Sequence, residues 1–130
     1  MKKTLIYLSH PYGNKQENYD EISKIMEHLY SSDKFFNEFC IISPVHNYGT
    51  LYEVFEYDKG LQICIDLIDY VSITLIVGDW QSSKGCTKER KYCIDNNIPY
   101  IVIDDVNEIL NNPPGVLVCA IKNKLKGHTN

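Results

Sequence analysis

The sequence has no C-x-x-C pair, no long apolar run and no surplus of basic charge, and each absence excludes a class of protein. Cys40, Cys64, Cys86, Cys93 and Cys119 are odd in number and widely spaced, which suggests neither a disulfide framework nor a zinc ribbon. They read as small reduced hydrophobes. The opening "MKKTLIYLSHPYG" is basic at its start, but its apolar run of about five residues is short of the roughly 7–15 of a signal-peptide core. No segment is long and apolar enough to span a bilayer, so the expected location is cytoplasmic and no membrane partner is expected. A net charge of -4 lacks the basic footprint of a protein that grips a nucleic-acid polymer. A small polar ligand remains.

What is present suits one compact domain: 130 residues, 44% hydrophobic and 23% charged, with no repeat, linker or low-complexity stretch. Four apolar runs bounded by turn residues read as strands: "TLIYLS" (Thr4 to Ser9), "FCIIS" (Phe39 to Ser43), "SITLIVG" (Ser72 to Gly78) and "PYIVID" (Pro99 to Asp104). Between them lie helical patterns. The first opens with Asn14 as N-cap and Glu17 three residues later, carries Tyr19, Ile22, Ile25, Met26 and Leu29 on one face, and runs to about Tyr30. The second places Leu51, Val54, Leu61, Ile65 and Ile68 on one stripe, with Gly60 as a weak point. The third begins near Lys84. The closing "VLVCAIKNKL" can form a helix or a fifth strand, and helix is the preferred reading.

Strands alternating with helices imply right-handed crossovers and a parallel sheet covered on both faces. The expected fold is therefore a single-domain, doubly wound α/β domain, flavodoxin-like or Rossmann-like, with four to five parallel strands and helices on both faces. Ligands bind such sheets outside the carboxyl ends of the strands. The loops found there are "SHPYGN", "SPVHNYGT" and "GDWQSSKGCTKE", which put Ser9, His10, Tyr12, Gly13, His46, Trp80, Ser83 and Gly85 on one rim.

Two acids interrupt core-facing stripes. Glu89 lies three residues after Cys86 and four before Cys93, on the inward face of the third helix. An unpaired carboxylate there is costly, so it must be paired or open into a cavity at the strand ends. The nearby helix N-terminus is expected to keep it ionised, as a nucleophile towards an electrophilic carbon requires. Asp58 lies four residues after Val54 and three before Leu61, on the stripe of the second helix. Asp66 and Asp69 fall off that stripe, and Asp69 is placed to end the helix. Ser83 suits the N-cap of the third helix whatever else it does.

The order "SHPYGN", acidic second helix, apolar strand, then Ser83-Lys84-Gly85-Cys86-Thr87-Lys88-Glu89 resembles the nucleoside 2-deoxyribosyltransferase superfamily. That superfamily includes the 2'-deoxynucleoside 5'-phosphate N-hydrolases, which carry a similar S-x-G-x-x-x-E signature. The run "GDWQSSKGCTKE" is closer still to small bacterial and phage members with GW-x-x-S-x-G-x-x-x-E, and the resemblance covers roughly Thr4 to Ile103. It implies that Glu89 attacks C1' of the deoxyribose, that Ser83 helps to bind a 5'-phosphate, and that Asp58 assists sugar orientation and proton transfer. The partner it implies is a small nucleoside or nucleotide, with no metal or organic cofactor, and Trp80 or Tyr12 could stack on the base. A homo-oligomer is also implied by resemblance. The same cleft could instead serve a non-catalytic module that binds a nucleotide or nucleotide-derived signal, with Glu89 only accepting hydrogen bonds.

Overall fold

The computed structural model describes residues 2–128. Strands β1 (Thr4–Ser9), β2 (Phe39–Ile42), β3 (Ile73–Val77) and β4 (Tyr100–Ile103) form one sheet in the order β2-β1-β3-β4, all parallel. Every residue of β3 is buried, as are the last four of β1, because both strands are central and covered on both faces. The edge strands β2 and β4 are only partly buried.

Helices α1 (Gln16–Tyr30) and α7 (Pro114–His128) cover one face of the sheet; α4 (Tyr57–Ile68) and α5 (Lys84–Asp95) cover the other. Shorter helices α2 (Asp33–Glu38), α3 (Pro44–Tyr48) and α6 (Asn107–Leu110) complete the chain. The two-residue period of β1 sends Ile6 and Leu8 into the main core with Ile22, Ile25 and Leu29 of α1 and Leu117, Val118 and Ile121 of α7. Tyr7 points the other way, packing with Ile68 of α4 and Cys93 of α5. The register sets Tyr7 beside Ile42 and Thr74, and Ser9 beside Ile76.

The doubly wound α/β architecture agrees with the sequence pattern, and the closing segment is the helix α7. Two helix starts differ. Asn14 is not the cap of α1: Lys15 holds that position, and Gly13 and Asn14 both have left-handed backbone (φ 57° and 58°), forming a turn. That turn directs the Asn14 amide away from α1, where it donates to Glu53 Oε1 at 2.9 Å. Nor do Leu51 and Val54 belong to α4. Gly49–Leu51 is a single 3₁₀ turn, α4 starts only at Tyr57, and Val54 is 72% exposed. Apolar spacing of three and four cannot tell a helix stripe from an aromatic-rich loop, and residues 51–55 form such a loop, with Leu51, Tyr52 and Phe55 lining a cavity and Val54 facing solvent.

Candidate active site

The strand order reverses between β1 and β3, the place where a parallel sheet opens a crevice at its carboxyl edge. A cavity of about 360 Å³ occupies it. Its floor is the end of β1 and the inward face of α5; its walls come from the loop after β1, from α3, from residues 49–56 and from the start of α4. Six aromatic rings line it, those of Tyr7, Tyr12, Tyr48, Tyr52, Phe55 and Tyr57.

Glu89 sits at the floor, 6% exposed. Its position follows from local rules. Ser83 caps α5, its Oγ accepting from the Cys86 amide at 3.2 Å, and this fixes the phase of a helix whose buried residues are Cys86, Glu89 and Cys93. The odd-numbered face of β1 supplies the partners: the Tyr7 hydroxyl donates to Oε2, and Ser9 Oγ donates to Oε1 at 3.0 Å. Both carboxylate oxygens are therefore held by hydroxyl donors.

The electrostatics of Glu89 differ from the expectation that the helix N-terminus keeps it firmly ionised. Burial pushes its carboxyl up from the ordinary 4.5 to about 7, while the hydrogen bonds from Tyr7 and Ser9 pull the other way. The reason is position: Glu89 is the sixth residue of α5, a turn beyond the free amides that would favour the anion. Its neighbours respond in turn. Burial and the Glu89 charge hold Tyr7 well above the usual phenol range, and they push the Cys64 and Cys86 thiols up to about 11, so all three stay neutral beside the carboxylate.

Of the residues singled out in sequence, Ser9, His10, Tyr12, Gly13, Ser83, Gly85 and Glu89 all line this cavity. His10 is tied in place, with Nδ1 2.7 Å from the Pro11 carbonyl and Nε2 2.8 Å from Glu21 Oε1. Gly78 makes room for it: its φ is +82° and a Cβ there would lie 3.2 Å from His10 Nε2. Three residues lie elsewhere. Asp58 is exposed in the first turn of α4 and does not line the cavity, because α4 begins six residues later than the apolar stripe suggests. His46 faces α1, its ring bonded to Ser43 Oγ (2.9 Å) and Ser23 Oγ (2.8 Å) and packed on Tyr19. Trp80 follows β3 at the same sheet edge but turns towards β4, where Nε1 donates to Asp104 Oδ1 at 2.7 Å and Arg90 stacks on its ring. The strand directions are as expected; the edge is wider than the cavity.

Sequence reasoning missed Tyr7, Tyr57, Cys64 and Glu56, all cavity residues. A signal existed for Tyr7: strand alternation puts it on the same face as Ser9, in an otherwise aliphatic run. Glu56 had none, since its place depends on where α4 begins. Among the described residues, no group of three or more His, Cys, Asp or Glu side chains is arranged to hold a metal ion, and no helix is long and apolar enough to cross a membrane.

Fold and site together define a parallel α/β domain with a buried carboxylate at a switch-point cavity. Residues 5–102 match the family described as a domain of unknown function, DUF4406, and the chain belongs to that family. No curated protein and no solved structure matches it.

Proposed function

We propose that this protein cleaves the N-glycosidic bond of a 2'-deoxynucleoside or its 5'-monophosphate, by hydrolysis or by base exchange, with Glu89 as the nucleophile. The observation that carries this reading is the Glu89 carboxylate itself: buried at the floor of an aromatic-walled cavity, held at both oxygens by Tyr7 and Ser9, and balanced near neutral pH. A carboxylate that is desolvated yet still ionisable at pH 7 is suited to trapping an oxocarbenium-like centre.

In the first step a Glu89 oxygen bonds to C1' as the C1'–N bond breaks. The electron pair leaves with the base, whose nitrogen takes up a proton from solvent. In the second step water, or a second base, attacks C1' of the glycosyl ester and Glu89 leaves as the carboxylate. With water, the proton released balances the one taken up by the first base. Tyr7 and Ser9 act on Glu89 throughout, orienting it and stabilising its charge when it departs. The flat walls are suited to holding a heterocyclic base by stacking, at about 1–3 kcal/mol per ring contact.

The test is to incubate the protein with deoxynucleosides and their 5'-monophosphates, with and without a second base, and to separate the products. Free base alone indicates hydrolysis, and a new nucleoside indicates exchange. Glu89→Gln keeps the size and hydrogen-bonding capacity of the side chain but removes the nucleophile, so turnover should fall by orders of magnitude with little change in affinity. Turnover undiminished in Glu89→Gln overturns the mechanism. Binding of the same ligands without turnover by the wild type would identify a non-catalytic binding module.

A further inference from the structure

We propose that Glu56 reads the base of the bound nucleoside and selects bases that carry an exocyclic amino group; the identity of the ligand as a nucleoside rests on the N-glycosidic reading above. The cavity lining contains two carboxylates, Glu56 and Glu89, and neither a lysine nor an arginine; its histidine, His10, is bonded to Glu21. Glu89 has both oxygens engaged by Tyr7 and Ser9 at the floor. Glu56 is different: it is the N-cap residue of α4, yet its side chain makes no cap hydrogen bond, and it has no ion pair or side-chain hydrogen bond among the described residues.

A carboxylate is an acceptor only, so a ligand that displaces water from the exposed Glu56 side chain must offer it a donor. If C1' lies against Glu89 at the floor, the base extends between the aromatic walls. Among the side chains of those walls, tyrosine hydroxyls can donate or accept and so discriminate little, whereas Glu56 accepts only. The amino group of adenine, cytosine or guanine satisfies it. A keto oxygen in the same place, as in hypoxanthine or uracil, turns lone pairs towards the carboxylate and leaves only the neighbouring ring N–H as a donor, so the keto base binds more weakly.

The experiment compares binding within two pairs, deoxyadenosine against deoxyinosine and deoxycytidine against deoxyuridine, by calorimetric titration of Glu89→Gln, in which turnover is blocked. The amino member of each pair should bind roughly 10- to 100-fold more tightly, the range of a hydrogen bond to a charged group. Adding Glu56→Gln should erase or invert the preference, because the amide can donate to the keto oxygen. Glu56 is exposed, so this second substitution leaves the fold intact, which circular dichroism verifies. Equal binding within both pairs, a preference that survives Glu56→Gln, or no binding by any of the four overturns the inference. The two proposals fail separately: if the wild type releases base from all four with equal affinity, the N-glycosidic reading stands and the role of Glu56 falls. A Glu56-dependent binding preference without turnover by the wild type does the reverse.

Discussion

Glu89→Gln should make the protein more stable at alkaline pH, whatever ligand it takes. A glutamate whose folded pKa lies above its unfolded value binds more protons in the folded state, so stability falls as pH rises between the two values. Here the carboxyl moves from 4.5 to about 7. At about 1.4 kcal/mol per pH unit, the full cost of burying the anion is about 3 kcal/mol. It is essentially absent below pH 4.5 and fully present above pH 7, and about 2–3 kcal/mol of it develops between pH 5 and pH 8. Glutamine does not carry this cost. It also keeps the local hydrogen bonds, because its oxygen accepts from one hydroxyl while the other rotates to accept from the amide. Urea denaturation of both proteins at pH 5 and pH 8 measures the effect, and taking the difference between them cancels every group they share. The variant should gain about 2–3 kcal/mol relative to wild type on going from pH 5 to pH 8, with an unchanged denaturant slope. A difference that does not vary with pH would refute the claim that Glu89 is a desolvated carboxyl with a raised pKa, and with it the physical basis of the proposed nucleophile.

Tyr7→Phe removes one of the two donors that favour the Glu89 anion, worth about 1.5–3 kcal/mol, so the acid limb of the pH–rate profile should move up by roughly one to two pH units. Turnover at pH 7 should drop roughly 5- to 50-fold and largely recover near pH 9; loss without recovery would mean that Tyr7 does something other than hold the charge. Ser83→Ala deletes the cap of α5 and should cost about 1 kcal/mol in chemical denaturation, with glycine at the same position costing less. Asp58→Asn alters an exposed residue outside the cavity and should change stability by less than about 0.5 kcal/mol and turnover little, whereas a large loss of turnover would place Asp58 back in the mechanism.

The reach of the sequence can be traced residue by residue. Glu89 was legible because Cys86, Glu89 and Cys93 share a face in any α-helix and the preceding serine sets where that helix starts. Ser9 and His10 were legible because a central parallel strand must end at the ligand edge. Asp58 falls outside the cavity because the apolar stripe at residues 51–54 is not helix, and Glu56 lies in it because α4 starts at Tyr57: one boundary decides which acid enters the cavity. His46 and Trp80 lie at the expected edge, but strand order alone could not say that His46 would turn to the hydroxyls of Ser23 and Ser43, or Trp80 to Asp104.

The sequence by itself determined the elements and their order, since periodicity, caps and turn residues act over a few neighbours and suffice to build a parallel α/β domain with a carboxylate on the inner face of α5. Tertiary structure decided what surrounds that carboxylate. Tyr7 and Glu89 are 82 residues apart, and only the parallel register of β1 with β3 and the seating of α5 on the sheet bring the phenol to the carboxylate and bury both. Desolvation depends on everything packed around a group rather than on its neighbours in the chain, so the rise of the Glu89 carboxyl to about 7 belongs to the fold and not to any motif.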